Sequence, residues 1–243
     1  MSITISTSVF EIRVQPMRKW SNQDYHSMPW KNGAGSTTEL AVFPPGASLD
    51  DFVWRLSRAE VNQAGAFSHF AQIDRSLAIL SGQGLSLQSD SEQRTADSVS
   101  LTQTSLPYQF AGELPIFADL LGGAVLDLNL MTRRDVCQHF MQRLGEGEHY
   151  VMAPDAQQLL LYCAAGAATV LAEGAAETET ETETETETET EQAAVLPGDL
   201  ILIDEQHEHA GIRLSISAQE GAVLYLMRIS FLNQAEGAHA TLG

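Results

Sequence analysis

Two stretches of this chain read alike. Ser76–Leu87 runs as an apolar strand, a turn at Gly82 and Gly84, and a second apolar strand, and Leu159–Leu171 repeats that order around Gly166. Strand, glycine turn, strand is the mark of a β-hairpin. Gly166 follows Gly82 by 84 residues, so the chain reads as two copies of one β unit. The other periodic segments are also short and strand-like: Val9–Gln15, Thr38–Phe43, Asp51–Val61, Val99–Thr102, Ile116–Leu121, Asp127–Arg134, Leu200–Asp204 and Ala222–Phe231. Gly and Pro turns separate them, and no long amphipathic helix interrupts them. Many short strands with such turns indicate an all-β sandwich or barrel, and duplication makes it a double barrel. The division falls near residue 140, giving units 1–140 and 141–243. Within Asp51–Val61, Trp54 and Leu56 alternate with Arg55 and Ser57, with a slip near Arg58 that a bulge would absorb.

Charge narrows the partners. A formal charge of −19 argues against sequence-independent nucleic-acid binding, which needs clustered Lys and Arg. Part of that charge is local: Glu177–Glu191 alternates Glu with Thr and carries eight of the 32 acidic residues. A repeat with no apolar side chain reads as a solvated, mobile loop between two strands of the second unit. No apolar run reaches the roughly 18 to 20 residues of a membrane span. The N-terminal residues lack a signal-peptide pattern, so the expected location is the cytoplasm, with no membrane partner. Cys137 and Cys163 sit in no metal or disulfide spacing and read as buried thiols.

The densest polar chemistry lies in Pro29-Trp30-Lys31-Asn32-Gly33-Ala34-Gly35-Ser36-Thr37-Thr38-Glu39. Glycine permits approaches that a Cβ would block, so this stretch reads either as a backbone that something approaches or as a tight turn entering a strand. Together with Trp54-Arg55-Leu56-Ser57-Arg58-Ala59, Gly65-Ala66-Phe67-Ser68-His69-Phe70, Asp74-Arg75 and Asp127-Leu128-Asn129-Leu130-Met131, this stretch resembles the HutD/Ves family. The five segments span residues 10 to 140, whereas the second half matches only in outline, with Pro197-Gly198-Asp199 as its landmark. The resemblance implies a bicupin, two stacked cupin (jelly-roll) β-barrels, and a role in limiting histidine utilisation. N-formylglutamate and urocanate are the ligands it suggests.

Read as chemistry, these residues favour anion binding. Many cupins hold a metal through two closely spaced His, a Glu and a later His, but the first unit offers only His69, and an open site needs about three ligands. His207-Glu208-His209 has the spacing but falls in an expected loop. No metal or other cofactor is therefore expected. No nucleophile motif surrounds either Cys, Ser57 or Ser68. Lys31, Arg55 and Arg75, by contrast, lie on or beside strands whose inner faces would line a barrel, and Arg holds a carboxylate through paired hydrogen bonds; the alternative is buried structural pairs, Arg55 with Glu39 and Arg75 with Asp74 or a neighbour. Asn32 and Asn129 would read an amide or formyl group. Trp30, Thr37, Glu39, Ser57, His69 and Asp74 complete the ligand-binding set, with no residue assigned as catalytic. The chain then reads as a non-catalytic modulator that binds a small carboxylate, and a homodimer is left open. Two alternatives stand beside it: an enzyme acting on a histidine-degradation intermediate with Glu39 or His69 as acid/base, and a structural or protein-binding double barrel.

Overall fold

The computed structural model describes residues 17–89, 98–152, 156–179, 184–204 and 213–232. Their strands are β1 (Met17–Trp20), β2 (His26–Pro29), β3 (Gly35–Phe43), β4 (Trp54–Val61), β5 (Gly65–Ala66), β6 (Ile73–Ser81), β7 (Leu85–Ser89), β8 (Val99–Leu101), β9 (Tyr108–Ala111), β10 (Ile116–Leu120) and β11 (Val125–Arg133). The second half adds β12 (Cys137–Leu144), β13 (Gly147–Met152), β14 (Gln158–Ala165), β15 (Ala168–Glu179), β16 (Thr184–Val195), β17 (Leu200–Asp204), β18 (Arg213–Ala218) and β19 (Val223–Phe231). One 3-10 turn, Asn22–Asp24, is the only helix among the described residues. The strand expected at Val9–Gln15 and the histidines 207 and 209 lie outside them.

The duplication is explicit in the strand order. The first barrel combines a sheet β2-β3-β4-β11-β6-β9 with a smaller sheet β5-β10-β7-β8. The second combines β12-β19-β14-β17-β1 with β13-β18-β15-β16. Strand for strand, β4-β11-β6-β9 corresponds to β12-β19-β14-β17, and the two smaller sheets match throughout. Gly82 and Gly166 occupy equivalent turns with φ of +92° and +69°, a conformation in which a Cβ is strained. A Cβ at Gly82 would also lie 2.5 Å from the Ala124 carbonyl, and one at Gly166 would lie 2.6 Å from Ala222 Cα. The repeated glycine thus marks where the turn of one hairpin meets the start of the barrel's last strand.

Three sequence expectations change. β1 lies in the second barrel's sheet, pairing with β17, and β12 of the same sheet starts at Cys137 and runs across residue 140. The barrels are therefore not cut apart at residue 140. The described parts of the Glu-Thr tract are strand where a loop was expected: Glu177–Glu179 end β15 and Thr184–Glu191 belong to β16, each strand of 12 residues, and the two pair antiparallel. The register sets Glu177 opposite Thr186, Thr178 opposite Glu185, and Glu179 opposite Thr184. No Glu is registered opposite a Glu there, and β-branched Thr suits a pleated strand. The bulge expected near Arg58 lies instead across the ladder, where Leu40 of β3 is skipped between Glu39 and Ala41. β4 therefore alternates without a break.

The barrels are joined through their larger sheets. Leu40, Trp54, Leu56, Ala78, Leu128 and Leu130 of the first meet Leu160, Tyr162, Leu200, Tyr225, Met227 and Ile229 of the second in one buried core. Polar groups cross this layer with partners: Trp54 Nε1 donates to Gln158 Oε1 at 2.6 Å, and Tyr225 Oη donates to the Ile79 carbonyl at 3.3 Å. His139 of β12 reaches Thr132 Oγ1 at 2.6 Å and Ser76 Oγ at 2.8 Å. Burial pushes the His139 imidazole down to about 4, although Asp74 opposes the shift. It also raises the Cys137 thiol to about 12 and the Cys163 thiol to about 11, as inert core cysteines require.

Candidate functional site

Because the faces of β4 alternate, every residue that turns away from the inter-barrel layer turns into the first barrel. The registers of β4, β11 and β6 stack these inner residues in rungs. Arg55, Met131 and Arg75 form one, Ser57, Asn129 and Leu77 the next, and Ala59, Asp127 and Ile79 the third. Around the polar members lies a cavity of about 600 Å³, which Trp30, Lys31, Asn32, Thr37, Phe67 and Phe70 also line.

The two arginines differ in their counter-ions. Arg55 Nε donates to Glu39 Oε2 at 2.8 Å, and its Nη1 lies 3.3 Å from Ser57 Oγ. Arg75 is 6% exposed, and among the described residues no carboxylate comes within 4.0 Å of it. Its Nε and Nη1 make long contacts of 3.4 Å to Asn129 Oδ1 and the Ser68 carbonyl. Phe67 and Phe110 place ring centroids 5.0 Å from its guanidinium carbon, and Phe70 places one at 5.8 Å. Aromatic faces hold such a cation without neutralising it. Burial pushes Arg75 down to about 10, Asp127 opposing and Arg55 adding to the shift. Arg75 thus stays charged at neutral pH.

Asp127, absent from the sequence-based set, is the buried acid of this cavity. It is 3% exposed, and its Oδ1 has no hydrogen-bond partner among the described residues. Burial pushes its carboxyl up to about 7, against the pull of Arg75 and the Ala59 N–H. It shares an inward face with Asn129, two residues on, so the period of two along a strand is the signal that links Asp127 to a site containing Asn129. Phe67 and Phe70 were visible only as part of a loop motif.

The opening polar stretch forms the β2–β3 turn at the rim. Trp30 N–H donates to the Gly35 carbonyl at 2.9 Å, Ala34 N–H to Asn32 Oδ1 at 3.1 Å, and Trp30 Nε1 to Thr37 Oγ1 at 2.8 Å. What comes close to this backbone is the protein itself. A Cβ at Gly35 would sit 3.1 Å from the Trp30 ring and on top of the Glu60 carbonyl. Asn32 is thereby committed to the turn, while Lys31 is exposed at the mouth.

Two expected site residues are displaced. Asp74 lies next to Arg75 on β6 and so faces the other way, where its Oδ1 pairs with Arg134 Nε at 2.8 Å. His69 is exposed and does not line the cavity. Glu39 serves through Arg55 rather than as a wall. Among the described residues no three metal-ligating side chains converge.

The second barrel supplies an internal control. Its equivalent rungs are Phe140, Arg228 and Leu159; Gln142, Leu226 and Leu161; and Leu144, Leu224 and Cys163. Arg75 corresponds to Leu159, Asn129 to Leu226 and Asp127 to Leu224. These leucines join an apolar core with Val170, Ile201, Leu214 and Ile216, while Arg228 and Gln142 occupy other positions of the same rungs. A barrel of this topology therefore closes without Arg75, Asn129 or Asp127.

Comparison with known proteins places the chain. The family described as HutD matches residues 22–224. An uncharacterised 21.2 kDa protein of Pseudomonas putida, from the region 3′ of hutC, is 40% identical over 112 residues, which cover 45% of this chain and 54% of that one. The chain thus spans about half the length of that curated relative. A conserved protein of unknown function from Pseudomonas aeruginosa PAO1 superimposes with a TM-score of 0.71 at 29% identity, over 88% of this chain and 98% of its own. HutD from Pseudomonas fluorescens SBW25, solved in a formate condition, gives 0.67 at 24% identity, over 89% and 99%. In fold alone, the cupin oxalate decarboxylase of Bacillus subtilis superimposes with 0.56 at 9% identity, over 87% and 76%.

Proposed function

This chain belongs to the HutD family, an all-β bicupin group tied to histidine utilisation, and from that premise we propose that its first barrel binds a small carboxylate metabolite. The observation that carries this reading is Arg75: a buried guanidinium at the wall of a cavity, ringed by three phenylalanines and with no carboxylate within 4.0 Å among the described residues. A cation left in that state is costly unless a ligand completes it. A carboxylate does so by charge-assisted hydrogen bonds, with Arg55, Ser57 and Asn129 within the same two rungs. Lys31 at the mouth adds a positive rim to a chain that is otherwise acidic, which draws an anion inward. The protein then acts as a non-catalytic modulator of histidine utilisation in the cytoplasm, sensing an intermediate such as N-formylglutamate or urocanate. The exposed position of His69, outside the cavity, removes one of the two acid/base residues that an enzymatic reading would use.

Thermal unfolding with formate, urocanate and N-formylglutamate tests this. A ligand at a hundred times its dissociation constant stabilises by about 2.7 kcal/mol, or roughly 5–10 °C for a chain of this size. The shift is expected in the wild type and not in Arg75→Met, with the ligand recovered unchanged. Turnover of the ligand would sink the binding role. Because Met fills a similar volume without a buried charge, Arg75→Met without ligand is expected to melt no lower than the wild type. A drop of several degrees would make Arg75 a structural residue.

A further inference from the structure

Asp127 lies one rung deeper than the groups that would hold a carboxylate. Arg55 and Arg75 both lean towards the rung of Ser57 and Asn129, with contacts of 3.3 and 3.4 Å. From there to Asp127 is two residues along β11, or about 7 Å of strand. A one- or two-carbon acid held at the guanidinium groups therefore leaves Asp127 untouched. Its Oδ1 is the one cavity oxygen that burial has stripped of a partner among the described residues. A buried acceptor without a donor is destabilising in the free protein. The duplicate barrel shows that the fold does not ask for it, since Leu224 occupies that register position within a closed core. The acid stands in the barrel that holds this cavity, and a leucine stands at its register position in the duplicate.

Building on the carboxylate reading above, we propose that Asp127 is the specificity-determining residue of the cavity, its Oδ1 accepting a hydrogen bond from an N–H of the ligand. The ligand class is then a carboxylate that carries an amide or imidazole N–H several bonds from the acid group. Such a molecule satisfies Arg75 at one end and Asp127 at the other. A plain carboxylate of the same length satisfies Arg75 but brings its own bulk against an unpaired acid. The hydrogen bond to a charged acceptor corresponds to roughly 10- to 100-fold in affinity.

The test uses two pairs of probes that differ at the N–H position. N-acetyl-β-alanine is compared with 3-acetoxypropionate, and 3-(imidazol-4-yl)propionate with 3-(furan-3-yl)propionate, by titration calorimetry at pH 8. Wild-type protein is expected to bind the N–H member of at least one pair tenfold or more tightly, and Asp127→Asn to reduce that ratio below about threefold. A wild-type ratio near one in both pairs overturns the assignment, as does a ratio that survives in Asp127→Asn. Should that variant fail to fold, the wild-type ratios decide alone. If the ester and furan bind well and lose binding in Arg75→Met, the carboxylate reading stands while the role of Asp127 falls. If none of the four probes binds and no carboxylate moves the melting midpoint, both fall together.

Discussion

At the scale of single residues, adjacency along a strand decides more than chemistry does. Asp74 and Arg75 look like a ready ion pair in sequence, yet a pleated strand sends neighbours to opposite faces. Asp74 accordingly meets Arg134 outside, and Arg75 is left facing the cavity. The carboxylate that does share the interior with Arg75 is Asp127, and its raised pKa of about 7 has a measurable consequence. The charged groups around it are Arg75 from β6, Arg55 from β4, Glu39 from β3 and Lys31 from the β2–β3 turn. Glu39 and Arg55 are paired with each other. Ionised Asp127 therefore offsets the charge of Arg75, and protonated Asp127 leaves it uncompensated. Below pH 7 the acid is already neutral and a simple carboxylate such as succinate should bind with little pH dependence. Above pH 7 the site must take up a proton, so affinity should fall by up to tenfold per pH unit. Calorimetry at pH 8 in buffers of different ionisation enthalpy should show uptake approaching one proton, and none in Asp127→Asn. A flat affinity from pH 6 to 9 in the wild type would contradict this.

Between elements, the polar contacts across the inter-barrel layer are few and complete, and His139 is the one that titrates. It links β12 to both β11 and β6, and neither Thr132 nor Ser76 is accessible to solvent. Replacing it with leucine leaves two buried hydroxyls without their partner, which costs about 3 kcal/mol. For a chain of this length that is a drop of roughly 6–12 °C in melting temperature. The sign of the pH effect follows from the lowered pKa of about 4. The folded protein prefers the neutral ring, so this contribution is full above the ordinary histidine value of 6.5. It is lost as pH falls from there through 4, because the unfolded chain takes up the proton first. The deficit of His139→Leu should therefore be largest near pH 7.5 and narrower at pH 4.5, as read by urea unfolding at both. An equal deficit at both would place the loss in packing alone.

For the molecule as a whole, the two barrels are one folding unit because each supplies half of the apolar layer between them, and β1 crosses to the partner sheet. A fragment of residues 21–134 would present Leu40, Trp54, Leu56, Leu128 and Leu130 to water. It is expected to self-associate in size-exclusion chromatography rather than run as a folded monomer, whereas the full chain should unfold in a single transition. Two separated transitions would show that the barrels are independent.

Sequence alone determined the all-β class, the duplication and the shared face of Arg55 and Ser57 on β4. All three follow from local rules, a glycine at a positive φ and a side-chain period of two, that act within a few residues. The same period held Asp127 beside Asn129, although nothing local marked it as a site residue. Only the tertiary structure decided how each cation is met, since Arg55 pairs with Glu39 sixteen residues away while Arg75 meets three phenylalanine rings and, among the described residues, no carboxylate within 4.0 Å. It also decided that Arg75, Asn129 and Asp127 surround a cavity in one barrel while leucines pack at the same register positions in its duplicate. Desolvation and counter-ion pairing belong to the assembled interior, where distant strands bring their side chains together, and no stretch of chain carries them by itself.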